Sequence, residues 1–201
     1  MTERAVSDID ARIAGRVREI RAERGLTLDA LSARSAVSRS MISLIERGEA
    51  SPTAVVLEKL ATGLGVPLAG LFEVFGAGVA PDPLARRAQQ LEWRDPGSGY
   101  LRRNVSPPGW PSPLRIVEVE FPPGARVAYE TGAREPVIHQ QVWVLDGRID
   151  IALGEVRHSL GAGDCLAMRL DRPIVFSNPT RRSARYAVVV ATGAALPRRA
   201  A

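Results

Sequence analysis

The chain has 201 residues, of which 45% are hydrophobic, 24% charged and 5% aromatic, and its formal net charge is +5. This composition supports one or two folded domains, and no apolar run reaches the roughly 18 residues that a membrane-spanning helix needs. The single cysteine excludes an internal disulfide and a cysteine-based zinc cluster, and two histidines argue against a histidine-rich metal site. These counts predict a cytoplasmic protein without a membrane partner.

The charge distribution gives no direct signal for nucleic acid. Basic and acidic side chains are equal in number over residues 1–75, so the positive excess lies in residues 76–201. A DNA-binding surface in the first part of the chain must therefore arise from the local placement of donors rather than from net charge.

The first 75 residues carry a helical pattern. Apolar residues recur at a spacing of three or four along the first predicted helix: Ile9, Ile13, Val17 and Ile20. Gly25 is typical of its end, and N-cap residues Thr27 and Ser38 precede two short helices. Ser51-Pro52 opens a fourth helix, and the apolar residues of 68–72 indicate a fifth. The second and third helices have helix-turn-helix dimensions.

Gly and Pro mark residues 76–99 as a linker, with one short helix expected over 84–91. Short alternating runs then predict eight strands: 101–105, 114–121, 140–145, 148–153, 156–160, 165–168, 174–177 and 184–191. Many short strands separated by turns indicate a β-sandwich or a small barrel. The expected organisation is a helical domain over 1–75, the linker, a strand-rich domain over 100–195 and a tail over 196–201.

The third predicted helix has two distinct sides. Met41, Ile42 and Ile45 are expected to face inward. The opposite side forms one polar stripe: Arg39, Ser40, Ser43, Leu44 and Arg47. A helix in the major groove contacts base edges from one face near its N-terminus, so this stripe is a candidate DNA-binding surface.

Near the N-terminus of the helix, Arg39 is the one residue of that stripe able to form a bidentate pair with guanine, and Leu44 suits a thymine methyl group. Backbone N–H groups at two helix N-termini, marked by Thr27 and by Ser51 and Thr53, are candidate sites for phosphate oxygens. A small helical core with solvated arginines remains the alternative for each residue alone. The ordered set of helices favours DNA binding.

Residues 13–73 resemble the XRE family of bacterial and phage repressor domains, most specifically over the stretch 37–48. This resemblance implies base contacts from Ser38, Arg39, Ser40, Ser43 and Leu44. It also implies an ion pair between Arg21 on the first helix and Glu46 at the end of the third. Ala36 departs from the usual turn glycine, and Leu44 stands where a polar residue is common.

Residues 114–190 resemble a cupin barrel. The supporting motifs are Pro122-Pro123-Gly124, the strand and turn over 142–147, the Gly-rich turn over 160–164, and 173–178. XRE domains joined to a C-terminal cupin form a class of transcriptional regulators. The resemblance therefore implies a multidomain α + β protein, with a five-helix repressor-like domain followed by a cupin-like β-barrel.

The cupin metal ligands have no counterparts in this sequence. Metal-binding cupins carry two histidines, a glutamate and a third histidine, whereas Gln140 stands at the glutamate position and Ile174 at the third histidine. The paired-histidine positions fall near 133–136, where no histidine occurs, and alternation places His139 on the opposite strand face from Gln140. We therefore expect no metal, no cofactor and no catalytic residues.

Without a metal, the barrel interior is either packed core or a cavity for an organic ligand. Six residues are candidates for ligand contact: Gln140, Val142, Val144, Tyr129, Arg126 and Arg185. Cys165 is expected to be a small core residue, with a redox role as the lesser option.

The leading hypothesis is a homodimeric, sequence-specific transcription factor that binds double-stranded operator DNA. Its cupin half would sense a small molecule or serve dimerisation, and ligand binding would act by changing the dimer geometry. Iron-dependent epoxidases resemble the same domain pairing, so a metal-dependent cupin enzyme, epoxidase-like or dioxygenase-like, is the alternative. A barrel that only dimerises is a third possibility.

Overall fold

The computed structural model describes residues 2–72, 82–132 and 137–192. Part of the expected linker, the expected metal-ligand positions 133–136 and the expected tail lie outside these residues. Helices occupy the first described range, and strands fill the other two.

Four α-helices form the first part: α1 Thr2–Glu23, α2 Leu28–Ser35, α3 Arg39–Glu46 and α4 Ala54–Leu64. The last three begin at hydroxyl N-caps, because Thr27, Ser38 and Thr53 each accept a hydrogen bond from a backbone N–H three residues on. None of the described helices is both long and apolar enough to cross a membrane.

The expected fifth α-helix is a five-residue 3-10 helix, Leu68–Phe72. Gly65 ends α4 in the left-handed conformation, with φ of 65°, and Pro67 follows two residues later. The Gly70 amide then donates to the Pro67 carbonyl at 2.8 Å, which is the tighter i to i+3 bond of a 3-10 turn. The described residues thus contain four α-helices and not five, and the helix expected over 84–91 is a 3-10 turn at Arg87–Gln89.

The strand-rich part is an antiparallel sandwich rather than a closed barrel. Its strands within the described ranges are β1 Glu92–Arg94, β2 Leu101–Asn104, β3 Leu114–Phe121, β4 Arg126–Tyr129, β5 Ile138–Asp146, β6 Arg148–Leu153, β7 Val156–Gly161, β8 Cys165–Arg169, β9 Ile174–Ser177 and β10 Ala184–Thr192. The first sheet has the order β1-β2-β3-β10-β5-β8, and the second has the order β4-β9-β6-β7. No pairing joins the two sheets into one cylinder among these strands.

Two strands were not expected from the sequence, and each is short. β1 lies inside the expected linker, and its central residue Trp93 is 3% exposed. β4 follows the Pro-Pro-Gly turn and pairs with β9. Cys165, expected in the core, is exposed at the start of β8 because its position alternates outward on the sheet.

The helical half and the sandwich share one continuous core. Phe72 at the end of the 3-10 helix packs edge-on against Trp93, with ring centroids 5.5 Å apart, and Trp93 packs in the same way against Tyr100. At the rim, Lys59 on α4 pairs with Glu130 after β4 at 3.3 Å. The two halves are therefore packed against each other along α4 and β1 rather than strung on a loose connection.

The turn between α2 and α3 contains the one non-glycine residue with positive φ among the described residues, Ala36 at 54°. Its Cβ makes this conformation unfavourable by roughly 1–2 kcal/mol compared with glycine. Beside it, Val37 is buried and its amide donates to the Ser35 hydroxyl at 3.3 Å. The turn of the helix-turn-helix unit is thus held by its neighbours in a strained form.

Ala36→Gly is expected to raise the free energy of unfolding by about 0.5–1 kcal/mol, since relief of the left-handed strain exceeds the entropy that glycine adds to the unfolded chain. Urea denaturation measures this change. The matched control is Ala33→Gly on the exposed side of α2, which is expected to lower stability by about 1 kcal/mol. Equal losses in both variants would contradict the strain argument.

Gly147, in the turn between β5 and β6, has a φ of 77°, and an added Cβ would lie 2.9 Å from both the Ala184 Cα and the Ser183 carbonyl oxygen. Gly147→Ala is therefore expected to lower the free energy of unfolding by the left-handed strain and by about 1–3 kcal/mol more for overpacking. Gly154 is the control, because its φ is 59° and nothing lies within 4 Å of its added Cβ. Gly154→Ala should lower stability by the left-handed strain alone. Thermal unfolding measures both variants, and equal losses of stability in the two would refute the prediction.

Candidate functional site

An ion pair fixes the end of α3 against α1. Arg21 Nε donates to Glu46 Oε1 at 2.6 Å and its Nη2 donates to Glu46 Oε2 at 2.8 Å, while Nη1 donates to the Leu26 carbonyl at 2.9 Å. The bond to Glu46 raises the pKa of the Arg21 guanidinium, whose charge is therefore permanent. The two-point contact sets the direction of α3 relative to the rest of the helical half.

The exposed side of α3 carries the six residues singled out from the sequence. We call this surface the α3 face: Ser38, Arg39, Ser40, Ser43, Leu44 and Arg47. Ser38, Arg39, Ser40 and Arg47 are exposed, and Ser43 and Leu44 are half-buried. Ile42 and Ile45 lie in the core, with exposures of 0% and 1%.

Met41, expected to face inward, is 39% exposed. A helix of only eight residues packs through a narrow stripe, which Ile42 and Ile45 already fill. Met41 therefore adds an apolar side chain next to the N-terminal end of the α3 face.

Acidic residues hold the two arginines of the α3 face. Arg39 Nε lies 3.2 Å from Asp29 Oδ1, and both side chains are more than half exposed. Water screens such a pair strongly, so Arg39 can exchange Asp29 for a better acceptor. Arg47 is held more firmly, because it contacts both oxygens of Glu49 at 2.7 Å and also bonds to the Ser43 hydroxyl.

The Arg47–Glu49 contact raises the pKa of Arg47 and lowers the pKa of Glu49, chiefly through the hydrogen bonds between them. Sequence analysis missed Asp29 and Glu49 as parts of this surface. Asp29 sits on another helix, so its distance to Arg39 depends on how α2 and α3 cross. Glu49 is two residues from Arg47, and this spacing was the available signal.

The two expected phosphate sites differ in the structure. At α2, Thr27 is exposed and its hydroxyl accepts from the Ala30 amide at 3.1 Å. At α4, the Ala54 amide donates instead to the Asp95 carboxylate at 2.9 Å, and Asp95 is 2% exposed. The sandwich therefore covers the α4 N-terminus, and Thr53 does not present it to a phosphate.

Ser51 lies outside this covered end. Its side chain is exposed and donates to Asp10 Oδ2 on α1 at 3.0 Å. It is thus held by an acidic neighbour in the same way as Arg39.

A second candidate site is a cavity between the two sheets, closed on one side by α4 and the 3-10 helix. Two of the six expected ligand contacts, Gln140 and Tyr129, line it. Val142 and Val144 are fully buried on the same face of β5 but belong to the packed core outside the cavity wall.

The two arginines expected at the cavity lie elsewhere. Arg126 and Arg185 are exposed on outward positions of β4 and β10, and Arg185 lies 3.5 Å from Glu118 on the outer side of the first sheet. Strand alternation explains this, because the neighbouring residues Val127 and Tyr186 take the inward positions. Arg102, which the sequence analysis did not single out, is the arginine that lines the cavity.

The residues at the cupin ligand positions do not fit a metal ion. Gln140 is a neutral amide whose Nε2 donates weakly to the Met168 sulfur at 4.0 Å, and Ile174 is an apolar buried side chain. His139 is exposed on the other face of β5. No group of three His, Cys, Asp or Glu side chains among the described residues could hold a metal ion.

Comparison with known proteins gives results for both halves. The family model HTH_3, described as helix-turn-helix, matches residues 17–71. The HTH-type transcriptional regulator SutR of Escherichia coli K12 is 25% identical over 170 residues, which cover 85% of this chain and 89% of that protein.

Solved structures extend the similarity beyond the helices. The crystal structure of an HTH_3 family transcriptional regulator from Vibrio cholerae superimposes with a TM-score of 0.74 at 26% identity, and it covers 93% of this chain and 98% of that chain. The Cupin_2 domain of an XRE family transcriptional regulator from Enterobacter cloacae aligns with a TM-score of 0.42 at 16% identity, covering 47% of this chain and 97% of that one. Residues 17–71 thus form a DNA-binding helix-turn-helix domain of the XRE type, and the chain is a transcriptional regulator that joins this domain to a strand-rich sandwich.

Proposed function

We propose that the α3 face lies in the major groove of an operator and that Arg39 forms a bidentate pair with a guanine. One observation carries this proposal: Arg39 is exposed at the first position of α3, and an exposed carboxylate, Asp29, holds it there. Ser38, Ser40 and Ser43 would donate to base edges or phosphates, and Leu44 would contact a thymine methyl group. Arg47 is proposed to contact the DNA backbone by exchanging the exposed Glu49 carboxylate for a phosphate.

Phosphate contacts would come from Thr27 at the start of α2 and from Ser51, both exposed. The α4 N-terminus is omitted from this interface because Asp95 occupies its Ala54 amide. Ser51 would exchange its hydrogen bond to Asp10 for a phosphate oxygen, whereas the Thr27 hydroxyl can donate to a phosphate while it still accepts from the Ala30 amide.

Arg39→Ala is expected to weaken binding to the operator between about fivefold and a hundredfold, which corresponds to the binding free energy of one bidentate guanine contact. Selection from a randomised duplex library with the wild-type protein supplies the operator, and fluorescence anisotropy measures affinity for it. Binding to an unrelated duplex should change much less, since base contacts and not phosphate contacts are lost.

Arg181→Ala is the matched control, because it removes the same charge from an exposed loop of the sandwich. Asp29→Ala should strengthen binding, since it frees Arg39 and removes a negative charge near the DNA. The proposed role of Arg39 fails if the Arg39 and Arg181 variants bind the selected duplex equally well.

We also propose that the outer side of the first sheet pairs with a second copy of the chain. Three large apolar side chains are exposed there: Leu114 at 49%, Ile116 at 41% and Trp143 at 51%. Strand register places Ile116 opposite Val189 and Trp143 opposite Ala187, so the apolar residues of β3, β5 and β10 adjoin. A contiguous exposed apolar patch is typical of a protein interface, and twofold pairing would present two α3 faces to a palindromic site.

Trp143→Glu is expected to convert the dimer to a monomer, because it buries a charge within this patch. Sedimentation velocity measures the change. Val156→Glu is the control, since Val156 is 59% exposed on the second sheet and away from the patch. A Trp143→Glu protein that keeps the wild-type sedimentation coefficient would exclude this face as the interface.

We further propose that the cavity binds a small-molecule effector and that its occupancy changes DNA binding. Support comes from the position of the cavity, because Glu58 of α4 and Leu68 of the 3-10 helix form part of its wall. A ligand there would contact the helical half directly, and its differential affinity for two arrangements of the halves would shift their balance. The same proposal includes a cytoplasmic location, where operator DNA and metabolites meet.

A further inference from the structure

The cavity contains a buried positive charge without a hydrogen-bonded anion. Arg102, on β2, is 7% exposed and lines the cavity. Its Nε and Nη2 atoms are buried and have no hydrogen-bond partner within the described residues. A guanidinium that is taken out of water without hydrogen bonds is strongly destabilising, so its presence needs an explanation.

The neighbours of Arg102 compensate its charge only in part. The Phe72 ring lies under the guanidinium, 4.7 Å from ring centroid to Cζ, in a cation–π contact. Burial lowers the pKa of Arg102, while the electrostatic attraction of Tyr100, Tyr129 and Glu58 raises it. None of these groups replaces the paired oxygens that a guanidinium fork binds best.

Hydroxyl groups lie on the same wall. The Tyr100 and Tyr129 hydroxyls are 3.5 Å apart, which is a long hydrogen bond. Burial raises the pKa of both phenols, so both remain protonated and able to donate. A guanidinium and two phenol O–H donors that line one largely apolar cavity form a site for an oxygen anion.

The rest of the wall defines the body of the ligand. Val127, Ile174, Phe176 and Val190 are apolar and buried, and the cavity volume is about 70 Å³. This space suits a small apolar group and excludes a nucleotide or a sugar phosphate. Glu58 adds a negative charge to the same wall, which disfavours a doubly charged phosphate compared with a singly charged acid.

We propose that the effector is a small monocarboxylic acid with an apolar body, bound through a bidentate contact between its carboxylate and Arg102. The hydroxyls of Tyr100 and Tyr129 donate to the same carboxylate, and the apolar body lies between the two sheets. This inference rests on the proposed sensing function and specifies its ligand class.

The same site connects the ligand to the helical half. Arg102 stacks on Phe72, and Glu58 of α4 shares the cavity wall. A carboxylate on Arg102 changes the charge balance beside Glu58 and draws the guanidinium toward the ligand. Binding therefore acts on the contact between α4 and the sandwich, and through it on the orientation of the α3 face.

The experiment uses the full chain and a panel of linear carboxylates from propionate to octanoate, each beside its primary amide. Calorimetric titration and thermal unfolding are measured with each compound. Members of the carboxylate series are expected to bind and to raise the melting temperature, whereas each amide, of the same shape without the charge, binds at least about tenfold more weakly.

Arg102→Met is expected to reduce carboxylate affinity at least about tenfold and to raise the melting temperature of the ligand-free protein, because it removes a buried charge that its neighbours compensate only in part. If Arg102 only stabilised the fold, Arg102→Met would lower the melting temperature instead. Arg102→Lys keeps the charge but loses the fork, and it is also expected to bind more weakly. Arg126→Met is the matched control, since Arg126 is exposed on β4 outside the cavity wall.

Three results would overturn the proposal: no carboxylate of the panel binds, the amides bind equally well, or Arg102→Met keeps the wild-type affinity. The comparison of carboxylates with amides uses the wild-type protein. It therefore tests the proposal even if the Arg102 variants do not fold. Affinity for the selected duplex is measured alongside. A protein that binds this duplex but no carboxylate refutes the ligand class and leaves the DNA-binding proposal intact.

Discussion

One buried carboxylate joins the helical half to the sandwich. Asp95 follows β1 and accepts hydrogen bonds from the Ala54 amide, from the Gly97 and Ser98 amides and from the Ser98 hydroxyl. An acid at this position also interacts favourably with the positive end of the α4 dipole. Because it holds α4 against the sandwich, α4 and the 3-10 helix close the cavity, and Phe72 reaches both Trp93 and Arg102.

The local elements of the helical half were largely predictable from the sequence. N-caps at Thr27 and Ser38 and the stripe from Ile9 to Ile20 depend on neighbours within one or two turns, and the structure has these helices. The prediction of a fifth α-helix was wrong, because Pro67 and Gly70 favour a 3-10 turn. The spacing of apolar residues alone does not distinguish such a turn from an α-helix. Met41 was misplaced for a similar reason, since the width of the buried stripe depends on which helices pack against α3.

The sites depend on contacts between distant residues and were less predictable. Asp95 reaches the Ala54 amide across 41 positions in the chain, and no local pattern indicates that meeting. Arg126 and Arg185 were chosen by residue type, whereas the alternation of each strand decides which side chain faces inward. Arg102 and Arg103 are adjacent, yet Arg103 pairs with Glu118 while Arg102 enters the cavity, because alternation along β2 places them on opposite faces of the sheet.

The docking of α4 has a practical consequence for dissecting the protein. A fragment that ends near residue 75, where the helical pattern stops, would expose Phe72 and leave the Ala54 amide without its carboxylate. A transplant of the helical half onto another sensor would have the same defects unless it carried the segment from Glu92 to Tyr100. The structural boundary between the helical half and the sandwich therefore lies within the strand-rich part, several residues beyond the change in composition.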